Sequence, residues 1–80
     1  MNNHDPKAQL IRERIVALDG IIDAADSEQR IELWAYHPSR GYYSVHYSGK
    51  SPELRKLLAV ARELYADTVA ELDALEKGHG

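Results

Sequence analysis

Apolar positions change their period twice along the chain, and the two changes divide it into three parts. From Ile11 onward the spacing is helical: Ile11, Ile15, Leu18, Ile22 and Ala25 recur at fours and threes and draw one stripe along a cylinder. Leu10, Ala17 and Ile21 widen that stripe, while Arg12, Glu13, Asp19 and Asp23 fall elsewhere on the surface. Asp5 is placed to act as N-cap, and Pro6 fits the first helical position, where no amide hydrogen is needed. The pattern predicts a helix over about 6–25, ended by Asp26 and Ser27. Gly20 costs such a helix about 1 kcal/mol relative to Ala. It marks either a close approach of another backbone or a loosening of the helix.

Between Arg30 and Ser48 the period drops to two. Ile31, Leu33 and Ala35 point one way, and Glu32, Trp34 and Tyr36 point the other. After a break, Tyr43, Val45 and Tyr47 share one face, with Tyr42, Ser44 and His46 opposite. Pro38 to Gly41 reads as a type I turn, with Gly41 supplying the left-handed position of a bulged hairpin. The expected register sets Leu33 against Tyr47, Ala35 against Val45, Trp34 against His46 and Tyr36 against Ser44. A slip by one residue would mix the two faces.

Gly49 to Glu53 restores the helical period. Ser51 is an N-cap, Pro52 takes the first helical position, and Glu53 favours the positive helix end. Leu54, Leu58, Ala61, Tyr65, Thr68, Leu72 and Leu75 then form a four-three repeat over about three heptads. Leu57, Leu64 and Val69 add apolar surface beside it. Nothing breaks this helix before Lys77, and Gly78 is a natural stop, which makes it about 39 Å long. A seam of this kind serves either as intramolecular core or as the face of a coiled-coil dimer.

The expected architecture is therefore α+β, in the order α-β-β-α, as one domain over residues 1–80. Helices at about 6–25 and 52–77 flank a two-stranded antiparallel hairpin at about 30–48. Only the stretches Met1 to His4 and Gly78 to Gly80 read as loose. Two strands cannot shield two long amphipathic helices. The helices are expected to pack antiparallel on each other, with leftover surface covered by a second copy in a two-fold dimer.

Composition sharpens this picture at one place. Four of the five tyrosines and the single tryptophan lie between Trp34 and Tyr47, leaving only Tyr65 outside the hairpin. One face of the hairpin is expected to lie under the helices, which leaves the other for a partner. Its outer face carries Glu32, Trp34, Tyr36, Tyr42, Ser44 and His46, with Arg40 at the turn. Trp and Tyr give large contact area for little rotamer entropy, so the candidate partner-binding residues are Trp34, Tyr36, Arg40, Tyr42 and His46. The competing interpretation is that a helix covers each face and the rings are core.

Other chemistries find less support. Arg40, Lys50, Arg55 and Lys56 near the rings are ingredients of a base-stacking surface, but Glu32 and Glu53 interrupt them. A formal net charge of −3 also disfavours binding to a phosphate backbone. An anion at the start of the second helix would compete with Ser51 and Glu53. Glu32 and His46 lie diagonally in the expected register, yet a two-stranded ribbon offers no enclosed pocket, so a surface ion pair is the simpler reading and an enzyme is not expected. His4, His37, His46 and His79 make no metal-ligand spacing, and neither metal nor cofactor is expected. Glu63, Asp67, Glu71, Asp73 and Glu76 make the end of the second helix acidic. This is either a solvated face or, chiefly through Glu63, Asp67 and Glu71, a stripe that docks on a basic partner.

A hydrophobic content of 44% with 29% charged residues fits a folded domain. The chain has no cysteine, which excludes disulfides and zinc–thiolate sites and agrees with a reducing cytoplasm. Its first residues do not read as a signal peptide, and no apolar run approaches a membrane span of about 20 residues. The functional expectation is a non-enzymatic protein-binding module, self-associating and acting as an inhibitor or adaptor, by analogy with small phage proteins of this size. A nucleic-acid or nucleotide binder and a structural subunit of a larger assembly are the alternatives.

Overall fold

A computed structural model describes residues 5–78 and gives the order α1 (Pro6–Asp26), β1 (Ile31–His37), β2 (Gly41–Tyr47) and α2 (Pro52–Gly78). The α-β-β-α order and the α+β class agree with the periodicity. Both helix starts use the expected caps. The Asp5 carboxylate accepts from the Lys7 amide at 2.9 Å, with Pro6 opening the helix. The Ser51 hydroxyl accepts from the Leu54 amide at 3.1 Å. Each such cap contributes about 1 kcal/mol. Gly78 is the last residue of α2 rather than the first beyond it. Residues 1–4 and 79–80, expected to be loose, lie outside the described residues, as do His4 and His79.

The helices run antiparallel. Arg12 near the start of α1 meets Glu76 near the end of α2 at 3.3 Å, and Asp26 at the end of α1 meets Arg62 at 3.6 Å. These exposed pairs report geometry more than stability, since each contributes well under about 1 kcal/mol. The two apolar stripes face each other between them. Ala8, Ile11 and Ala25 of α1 and Leu54 and Ala61 of α2 are buried, and the remaining residues of both stripes are half-buried. The heptad seam of α2 is thus intramolecular. Gly20 marks neither a close approach nor a break: α1 continues through it, and a Cβ there would meet nothing within 4 Å.

The hairpin register is Ile31 with Tyr47, Glu32 with His46, Leu33 with Val45, Trp34 with Ser44, Ala35 with Tyr43, and Tyr36 with Tyr42. This differs from the expected register by two residues. The turn begins at His37, whose carbonyl accepts from the Arg40 amide at 3.0 Å, and Gly41 closes it at φ +88°. The His37 ring also accepts from the Ser39 amide at 3.2 Å, which holds the turn in place. An even slip exchanges partners without exchanging faces, so both faces keep their expected composition.

A tight junction sets the hairpin's direction. At the end of α1 the Glu28 amide bonds to the Ala25 carbonyl and the Gln29 amide to the Ala24 carbonyl, at 3.1 and 2.8 Å. This is a Schellman closure with Glu28, at φ +59°, in the left-handed position that glycine usually fills. The Glu28 carbonyl then accepts from the Gly49 amide at 3.2 Å and ties the entry of β1 to the exit of β2. Ile31 packs with Ala25 and Leu54 at this root, and Tyr47, Leu57 and Leu58 close around them.

Beyond the root the strands leave the helices. Every residue from Glu32 to Arg40 is exposed, so the expectation that the helices cover one hairpin face is not met. The molecule is a thin plate of 44 × 34 × 15 Å. Its radius of gyration is 15.5 Å, against about 12 Å for a compact domain of this length. Among the described residues no helix is long and apolar enough to cross a membrane.

Candidate functional site

The outer face of the arm is built by strand alternation alone. Glu32 stands opposite His46, Trp34 opposite Ser44, and Tyr36 opposite Tyr42. The Tyr36 and Tyr42 rings lie 4.9 Å apart at 50°, a tilted pair that braces the tip half of the arm. Trp34 is one step further down the same face. These three rings are 65%, 61% and 73% exposed, so the interpretation that makes them core fails within the single chain. Arg40 is exposed in the turn just beyond them.

The root half of this face is polar. Glu32 and His46 face each other directly rather than diagonally, but the Glu32 carboxylate accepts from the Arg30 guanidinium at 2.8 Å. All three side chains are exposed, and no wall excludes water from them. This is the geometry of a solvent-exposed surface ion pair. His37 sits in the turn on the other face. Among the described residues no group of His, Cys, Asp or Glu could hold a metal ion.

The cations that neighbour the rings in sequence are separated in space. Arg40 is at the tip, whereas Lys50, Arg55 and Lys56 lie past the root. The intervening seven-residue strands hold them roughly 20 Å apart. At the start of α2 the Ser51 hydroxyl already holds the Leu54 amide, with Glu53 beside it in the first turn.

Glu63, Asp67 and Glu71 are exposed along α2. The ion pairs of α2 instead use Arg62, Asp73, Glu76 and Lys77. Asp67 and Glu71 follow Val60 and Leu64 by seven residues. The acidic row therefore continues a line that is apolar in the first half of the helix.

That apolar line belongs to a feature the periodicity hinted at without locating. An open groove of about 460 Å³ runs between α1 and α2 and is walled at one end by β1. Ala17 and Ile21 line one side, Val60 and Leu64 the other, and Ile31 and Leu33 form the wall. Ala17, Ile21 and Leu64 are among the residues that widen the two stripes beyond the width one helix pair can cover.

Comparison of the chain with protein-family models, with curated proteins and with solved structures finds no match in any of the three.

Proposed function

We propose that the protein is a non-enzymatic binding module that presents the outer face of its hairpin to another protein and acts there as an inhibitor or adaptor. The observation that carries this is the exposure of Trp34, Tyr36 and Tyr42 together on one face of a projecting arm. Three large rings left in water by the chain's own fold, with Arg40 beside them, have the composition of an interface hot spot. His46 and Glu32 supply a polar margin at the root. The reading places the protein in a reducing, cytoplasmic setting, with which a chain free of cysteine agrees.

A protein partner fits better than a nucleic acid. Stacking surfaces for single strands pair their rings with cations that follow the backbone, and here the cations stand at opposite ends of the arm. The test is capture on immobilised protein, comparing the wild-type chain with the W34A/Y36A/Y42A triple variant. Expected is a bound protein whose affinity falls about 100-fold or more in the triple variant, at unchanged circular dichroism. Retention of the same partner by the triple variant would overturn the assignment. A captured oligonucleotide, released steeply by salt, would replace it with the nucleic-acid reading.

A further inference from the structure

The inner face of the hairpin is also exposed beyond its root, though less than the outer one, and its root end opens toward the groove between the helices. Leu33, Ala35, Tyr43 and Val45 line this face, which is mainly apolar up to His37 at the turn. Tyr43 is 53% exposed, and in the groove Val60 and Leu64 are 50% and 49% exposed. The two surfaces meet at Leu33, which lines both the groove and a shallow depression with Ala35, Tyr43 and Val45 along the arm. The chain thus carries both an apolar arm and an apolar bed, and its own arm stands off its own bed.

We infer that the occupant of these surfaces is a second copy of the chain, each copy laying the inner face of its hairpin over the helices of the other. The exposed area is of the right size. The chain exposes 6241 Å², whereas a compact monomer of 9.0 kDa exposes about 4,900 Å². The excess is larger than the roughly 800 Å² that each partner contributes to a standard interface.

The core points the same way. Its buried members are Ala8, Ile11, Ala25, Ile31, Leu54 and Ala61, three of them alanines. A chain with so little interior needs its cover continuously, and the partner always present at its own concentration is itself. A two-fold axis covers arm and bed with one operation, as an isologous contact requires. Charge does not oppose it: Arg30 and Glu32 at the rim of the groove pair with each other at 2.8 Å, so the surface is neutral although the chain is acidic.

This interface uses the inner face and does not depend on the partner assigned to the outer one. It is tested by mixing two forms of the full chain. One carries a nitroxide on Ser44→Cys, a unique attachment point because the chain has no cysteine of its own. The other is unlabelled at that position and enriched in ¹⁵N. Expected is a dimer by light scattering, with amides of the ¹⁵N chain broadened around Ala17 to Ala24 and Leu57 to Leu64. A monomer at concentrations up to about 100 μM would overturn the inference, since an apolar interface of standard size binds far more tightly. A dimer whose broadening is confined to the hairpin would overturn it equally.

Leu64→Asp is expected to weaken the dimer about 100-fold or more, by burying a charge against the partner's arm. Trp34→Ala, on the other face, is expected to leave it unchanged. Loss of dimer on Trp34→Ala with its persistence on Leu64→Asp would reverse the assignment of faces. If Leu64→Asp fails to fold, the nitroxide measurement on the otherwise native chain still decides.

Discussion

The helix pair and the hairpin arm both carry apolar faces in sequence, yet the fold treats them differently. Each helix finds its cover in the other: the stripe of α1 and the seam of α2 meet along the length of an antiparallel pair. The arm finds cover only at its root, where Ile31 and Tyr47 join Ala25 and Leu54. Apolar alternation therefore marks which side of an element avoids water, and not which molecule relieves it. In the helices the relief is internal. In the arm beyond its root the single chain leaves both faces exposed.

The contrast predicts mutational effects of very different size. The largest is at Ile11, the one large side chain that is fully buried among the described residues. Ile11→Ala removes buried atoms from the seam between the helices and is expected to destabilise by about 3 kcal/mol in urea unfolding followed by circular dichroism. A loss below about 1 kcal/mol would mean that the pair is not the stable half.

At the junction between the halves, Ile31→Ala is expected to cost about 2 kcal/mol. It should also broaden the β1 and β2 amide resonances more than those of the helices, because Ile31 is the one buried apolar residue of the arm and only the half-buried Tyr47 packs beside it. Uniform broadening would make the arm an integral part of the core.

Glu28 gives a smaller effect of opposite sign. Its φ of +59° costs a residue with a Cβ roughly 1 kcal/mol, and glycine is free of that cost. Glu28→Gly is therefore expected to raise stability by up to about 1 kcal/mol in the same unfolding experiment, after the greater flexibility of glycine in the unfolded chain is subtracted. Destabilisation would show that the arm's angle depends on the Glu28 side chain.

The smallest effect is expected on the outer face. Trp34→Ala should change stability by no more than about 0.5 kcal/mol, since the ring is mostly in water. Iodide should quench Trp34 fluorescence in the wild-type chain nearly as well as it quenches a free indole. A protected tryptophan would place this face inside the assembly and leave the acidic row of α2 as the surface for partners.

Much of the fold is legible in particular residues. Asp5 with Pro6 and Ser51 with Pro52 announce the two helix starts, and the stripes from Ile11 and from Leu54 name the residues that end up facing each other. Glu28 is the exception at the other end of α1: nothing in the residue type announces a left-handed backbone, because tertiary closure against Gly49 holds it there. The turn is one residue earlier than its composition implies. Proline tolerates several turn positions, and the His37 ring that settles the matter acts through Ser39.

The candidate site divides in the same way. Strand alternation alone puts Trp34, Tyr36, Tyr42 and His46 on one face, and an even error in register leaves them there. Their separation from Lys50, Arg55 and Lys56 follows from the length of the strands once the hairpin is drawn. The groove is different, because Ala17 and Ile21 belong to one helix and Val60 and Leu64 to another, and no spacing within either relates them.

The sequence by itself determined the elements, their polarity and the composition of every face, because periodicity and capping are local properties of the chain. Only the tertiary structure decided that the arm leaves the helices after Ile31, that its rings meet water, and that an apolar bed stays open beside it. These depend on the junction where Glu28 and Gly49 join strand to helix, a contact between residues far apart in the chain that no local pattern encodes.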